Sequence, residues 1–203
     1  MITRRLVTTV ISFVAVHCFS MAASIATAAP KSLEAIELQW KATTDLKEVR
    51  AANLASIVSS IAIPTFKDSR KVEPANKIGE NTEGKIPLPV TTKSDVSQFV
   101  TDNVKEIFRK SGLNLADAKA DYTLNGEIVD YFVTETNNYN GNLKINLTLL
   151  KADKPIWKGT VVGTNKRFGR SYKLDNYLES LSDLVVDFAT KLATNHDFKS
   201  QLN

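Results

Sequence analysis

The stretch YTLNGEIVDYFVTE (122–135) runs through NNYNGN (137–142) into LKINLTLL (143–150), then through ADKP (152–155) into IWKGTVVGTNKRF (156–168). LKINLTLL alternates Leu143, Ile145, Leu147 and Leu149 with polar residues, the period-two pattern of a strand with one buried face. Asn, Gly, Asp and Pro at the two connections supply turn chemistry, and joins this short link antiparallel neighbours. Three consecutive strands are predicted. In the first, strict alternation puts Val129, Tyr131 and Val133 on the face opposite Ile128 and Phe132. A sheet covered on one side should be polar there. Either the N-terminal segment wraps over that side or it is a binding face; internal cover is the expectation.

Outward from this core the periods change. Val96, Phe99, Val100, Val104, Ile107 and Phe108 recur at helical spacing, with Ser94 as a predicted N-cap and Gly112 at the C-terminal end. Leu174, Tyr177, Leu178, Leu181, Leu184, Val185, Phe188 and Leu192 mark a second, longer amphipathic helix. EAIELQWKA alternates Ile36, Leu38 and Trp40, and SIVSSIAIPTF is rich in β-branched residues, so each reads as a strand. Residues 67–93 carry three prolines and two glycines and read as a long loop. The predicted fold is α+β: a mainly antiparallel sheet of about five strands with two amphipathic helices packed on one face. One domain over 30–203 is expected, with an N-terminal strand and connection at 30–55.

Residues 1–29 stand apart. Arg4 and Arg5 precede an apolar run from Leu6 to Val16, and Ala26-Thr27-Ala28 offers small residues for cleavage, the pattern of a secretory signal peptide. The predicted product is exported to the periplasm, with no membrane-spanning segment in the mature chain. Cys18 is a possible lipidation point and would make the chain an outer-membrane lipoprotein, although His17 is a poor neighbour for that cleavage. Without Cys18 the mature chain has no cysteine, which removes disulfides and thiol chemistry. At 203 residues and 43% hydrophobic content the chain can bury one sizeable core. Its excess of four positive charges falls to two without Arg4 and Arg5, too weak a field for a nucleic-acid partner.

Catalytic motifs are sparse. GENTEGKIP (79–87) reads G-x-x-x-x-G-K, one residue short of a phosphate loop. Ile86 replaces the magnesium-binding hydroxyl, and Pro87 and Pro89 oppose the helix such a loop requires. His196 is the histidine left after export and has no triad partners in sequence. Neither a calcium loop nor a cofactor motif is present, so no cofactor and no metal is expected. Asp175, Glu179, Asp183 and Asp187 recur every fourth residue, which reads as the solvated face of the last helix.

Two constellations remain. NKRFGRSYK (165–173) places Lys166, Arg167, Arg170 and Lys173 around Phe168 and Tyr172, a pattern able to meet an anionic lipid surface or an acidic partner. A solvated connection is the plainer reading. Asp68 and Arg70 lie two apart at a strand end and could pair or anchor the long loop.

Four pieces in order carry a family likeness: IAIPTFKDSR with Asp68 and Arg70, followed by IGE (78–80); the helix VSQFVTDNVKEIFRKSGLNL; the strand from ADYTLNGEIVDYFV; and the closing NHDFKSQ. Over roughly residues 57–201 the chain resembles the YajG-like family of bacterial envelope lipoproteins. The departure is the weak cleavage site before Cys18. The resemblance implies an envelope accessory or binding protein and no enzymatic activity. The expected function is therefore a non-enzymatic periplasmic protein with an envelope protein or lipid partner. The alternatives are an accessory subunit of a lipid or lipopolysaccharide transport assembly and a carboxylate-dependent hydrolase.

Overall fold

The computed structural model describes residues 32–117, 119–169 and 171–202. The predicted leader at 1–29, Cys18 within it, and Arg170 lie outside the described residues. The chain forms β1 (Leu33–Ile36), α1 (Lys47–Ala51), a 3-10 turn (Leu54–Ser56), β2 (Ile61–Ala62), β3 (Lys67–Asp68), β4 (Lys77–Asn81) and β5 (Leu88–Thr92). These are followed by α2 (Val96–Lys110), β6 (Tyr122–Glu135), β7 (Asn138–Lys151), β8 (Lys154–Phe168), α3 (Leu174–Thr194) and α4 (His196–Ser200).

The architecture is α+β, but the expected five-stranded, mainly antiparallel sheet is wrong. One mixed sheet of eight strands runs β1-β5-β4-β6-β7-β8, with β2 and β3 also on β6. β6, β7 and β8 form the antiparallel meander read from the sequence. The opposite edge of β6 carries β2, β3 and β4 in succession, all parallel to it. Parallel pairing follows because 61–81 climbs the same edge in the direction β6 itself runs.

The predicted loop at 67–93 therefore contains β3, β4 and β5. Gly79 and Pro89 fit these strands because of the neighbours each one meets from elsewhere in the chain. A Cβ on Gly79 would stand 2.6 Å from the carbonyl oxygen of Val133 on the neighbouring strand. Pro89 lies at the end of β5 beyond the reach of β1, whose register begins at Leu33 opposite Val90.

The apolar residues on the apparent far side of β6 are explained by a bulge. Ile128 faces Ile145 and Asp130 faces Lys144, so Val129 is an extra residue in β6. Before it, Tyr122, Leu124 and Ile128 are buried; after it, Tyr131, Val133 and Glu135 are. The phase shift keeps all six on one face. Phe132 instead lies on the other face with the Lys77 ammonium 5.6 Å from its ring centre.

Both long helices cover that buried face. α3 contributes Tyr177, Leu181, Leu184, Val185, Phe188 and Leu192, all with no exposed surface, and each such burial stabilises by about 1.5–3 kcal/mol. α3 lies close to β8 because β8 carries Gly163, where a Cβ would stand 2.3 Å from the Leu184 carbonyl oxygen. α2 begins one residue later than predicted. Asp95 is the N-cap and accepts from the Gln98 amide, while the Ser94 hydroxyl accepts from the Leu38 amide at 2.9 Å. Gly112 ends α2 at φ +89°, where its missing Cβ leaves room for Ala55.

Candidate functional site

The register places Leu88, Asn81, Glu135, Tyr139 and Arg167 in one row across five strands. Just beyond this row lie the β4–β5 connection (82–87), the β6–β7 turn (136–137) and the chain between β8 and α3. β1 enters here too, since Leu33 faces Val90 and its amide donates to the Tyr172 hydroxyl at 3.2 Å.

Glu135 organises this end of the sheet from the helix side. It is completely buried. Its Oε1 accepts the backbone amides of Ser171 at 2.6 Å and Tyr172 at 2.9 Å, and its Oε2 accepts the Tyr177 hydroxyl at 3.0 Å. Burial alone would raise its pKa. The Tyr172 amide, the Asn81 side chain, the Ser171 amide and the Tyr139 hydroxyl outweigh that and hold it below the ordinary value. Burial and the adjoining carboxylate push the Tyr177 phenol well up.

Tyr172 is held at φ +43°, a left-handed conformation uncommon for an aromatic residue. Its hydroxyl donates to the Pro89 carbonyl at 2.6 Å, and its ring meets Tyr177 edge-on at 6.2 Å. Three separate segments are thus fixed to one carboxylate and one tyrosine.

The basic connection is divided by this geometry. Arg167 turns to the helix side and pairs with Glu179, with Asp183 4.0 Å away. Tyr172 is half-buried in the same direction. Lys166, Phe168 and Lys173 are exposed, and Phe168 most of all at 93%. No single surface therefore collects all the described members of the predicted contact.

Of the four carboxylates on α3, Asp175 is exposed as its spacing suggested, but Glu179, Asp183 and Asp187 are largely covered. Asp175 pairs with Lys41 at 2.5 Å. Asp183 is buried and accepts the amides of Thr43 at 2.7 Å and Thr44 at 2.8 Å and the Thr43 hydroxyl at 2.6 Å. Asp187 accepts the Thr164 amide at 2.6 Å, and Lys191 donates to the Val162 carbonyl at 3.0 Å. Those last two backbone groups belong to the outer edge of β8, so α3 satisfies part of an otherwise open strand edge. Helical spacing showed that these side chains share a face; it could not show that a second strand and the 41–44 segment lie against that face.

Arg70 sits almost wholly buried against Asp68, with Nη2 to Oδ2 at 2.8 Å. Its guanidinium also donates to the carbonyls of Lys77 at 3.0 Å and Ala75 at 3.2 Å. The arginine thus closes the chain between β3 and β4. Beside it a shallow depression of about 250 Å³ is lined by Val72, Asp130 and Phe132 among others. Among the described residues no cluster of His, Cys, Asp and Glu has the make-up of a metal site, and no helix is long and apolar enough to cross a membrane.

No family model matches the chain, and no curated protein does. Among solved structures it is similar to protein XCC0632 from Xanthomonas campestris, of family DUF330. The two are 13% identical with a TM-score of 0.52, over 70% of this chain and 88% of that one. It is also similar to a candidate lipoprotein from Caulobacter crescentus, 11% identical with a TM-score of 0.45 over 78% and 98% of the two chains. The first likeness is one of fold. The named neighbours include a candidate lipoprotein and a lipoprotein, GNA1162 from Neisseria meningitidis, and the YajG-like family is not among these names.

Proposed function

We propose that the chain is an exported, non-enzymatic protein of the bacterial envelope that works by binding another envelope component. The observation that carries this reading is the use of its buried ionisable side chains. Glu135, Asp183 and Arg70 each face backbone amides or carbonyls of the chain itself, the arrangement of groups that position segments. A carboxylate hydrolase would need a pair of carboxylates held open to substrate. The leader pattern at 1–29 supports export, and the YajG-like resemblance supports the envelope.

Fractionation of cells making the full chain, with intact mass of the product, tests the reading. A product in the periplasm or outer membrane, cut after Ala28 or Ala29 or acylated at Cys18, is expected. A product retaining residues 1–29 in the cytoplasm overturns it. Turnover against a broad ester and glycoside panel that is lost in Glu135→Gln would overturn the non-enzymatic part.

A further inference from the structure

We infer that the end of the sheet bearing the β4–β5 connection and the end of β8 docks onto an anionic lipid bilayer, with Ile86 and Phe168 entering the interface. Ile86 is 79% exposed and Phe168 93%. Single exposed apolar residues are ordinary, but these two stand at the same end of one rigid sheet. The row from Leu88 through Asn81, Glu135 and Tyr139 to Arg167 connects their strands. Four strand spacings separate β5 from β8, so the two side chains stand roughly 20 Å apart. Two tips at that separation match a broad, flat surface better than a small-ligand pocket.

Charge selects the kind of surface. Lys85 precedes Ile86, Lys166 lies two residues before Phe168 on the same face of β8, and Lys173 stands at the start of α3, all exposed. Glu83 is the carboxylate in the β4–β5 connection. Lys173 occupies the N-cap of α3 without a capping side-chain bond, where a cation opposes the helix dipole. Lysines flanking exposed apolar side chains are the chemistry of an anionic headgroup layer over hydrocarbon. Leu33, the first residue of β1, is held at this same end by Tyr172. A chain tethered through residues before Leu33 would present this end to the membrane that holds the tether.

This inference deepens the envelope reading by naming its partner, and purified components test it separately. The full chain is mixed with vesicles of phosphatidylcholine containing about one-third phosphatidylglycerol, and binding is measured by co-sedimentation. The same segment precedes β1 in every variant, so differences report the sheet end. Ile86→Ser with Phe168→Ser is expected to weaken binding at least about tenfold. Lys85→Glu with Lys166→Glu and Lys173→Glu is expected to abolish the preference over uncharged vesicles. Val58→Ser is the control, since Val58 is 89% exposed near the opposite end of β6. Its binding should equal wild type. Fluorescence of Phe168→Trp should be quenched by brominated lipid beyond the level set by Trp40 and Trp157.

Equal binding by wild type and the double serine variant overturns the inference, as does failure of the wild type to bind. Unquenched Phe168→Trp overturns it even if sedimentation occurs, and capture of a protein by this end without vesicle binding would assign the surface to that partner instead. Vesicle binding by a chain found in the cytoplasm would sink the envelope reading and leave this one standing.

Discussion

The carboxylate of Glu135 accepts the backbone amide of Tyr172 at 2.9 Å, so the last residue of β6 sets the path of the chain between β8 and α3. The amide of Ser171 and the hydroxyl of Tyr177 complete the arrangement. A charged acceptor at this point does what a loop packed only through apolar contacts could not: it fixes direction as well as position.

Glu135→Gln should therefore lower stability at neutral pH by about 2 kcal/mol, since the charged acceptor of several buried donors is lost. The pH dependence follows from the sign of its shift. The folded pKa lies below the ordinary glutamate value, so the unfolded chain binds more protons as the solution turns acidic. The stabilisation is complete above about pH 4.3 and declines as pH falls through the lower folded value. Urea unfolding across pH 3 to 7 should show a smaller acid loss in the variant. Parallel pH profiles for the two proteins would refute this role.

The bulge at Val129 makes an unusual deletion prediction. Removing Val129 leaves Ile128 and Asp130 opposite Ile145 and Lys144, their present partners. Tyr131, Val133 and Glu135 then keep their face, and the chain should fold with a modest loss of stability. Removing Phe132 instead reverses Val133 and Glu135 toward solvent, because a one-residue change flips every following side chain. Circular dichroism melts should show a cooperative transition for the first deletion and none for the second. Similar behaviour of the two would mean that the bulge does not set the register.

Gly163→Ala should destabilise by about 1–3 kcal/mol, because the new methyl meets backbone of α3 at the Leu184 carbonyl and the Phe188 amide. Gly84→Ala meets nothing nearer than 3.6 Å and should change stability by less than about 0.5 kcal/mol. Chemical denaturation of both compares a close helix–sheet approach with an open turn.

These positions show what the sequence could and could not convey. The meander and both long helices were legible, because Leu143 to Leu149 and Tyr177 to Leu192 sustain one period over many residues. β2 and β3 have two residues each, too few for any period, and their parallel partner is a strand some sixty residues later. Gly79 and Pro89 disguised β4 and β5, since their fitness depends on neighbours from elsewhere in the chain. The bulge misassigned Val129, Tyr131 and Val133, because alternation counted along β6 has no means of detecting an extra residue. Lys85 and Ile86 drew notice inside a near-phosphate-loop pattern; their place at the same end as Phe168 depends on a strand order that spacing does not encode.

The pairing of Arg167 with Glu179 gives the most direct test of how β8 is held to α3. Both side chains are about three-quarters buried, and Arg167 also stands 4.0 Å from Asp183. Were NKRFGRSYK only a solvated connection, Arg167→Ala would have little effect on the fold. The geometry requires otherwise: about 1–2 kcal/mol for Arg167→Ala and somewhat less for Glu179→Ala, because the arginine also faces buried Asp183. Since each variant removes the same pair, the double variant should cost well under the sum, with a coupling of about 1 kcal/mol. Lys166→Ala, on the exposed face of the same strand, should stay within about 0.5 kcal/mol of wild type. Urea denaturation of the four chains and wild type supplies every term. Additive single losses, or an Arg167→Ala as silent as Lys166→Ala, would show that the ion pair does not hold this strand.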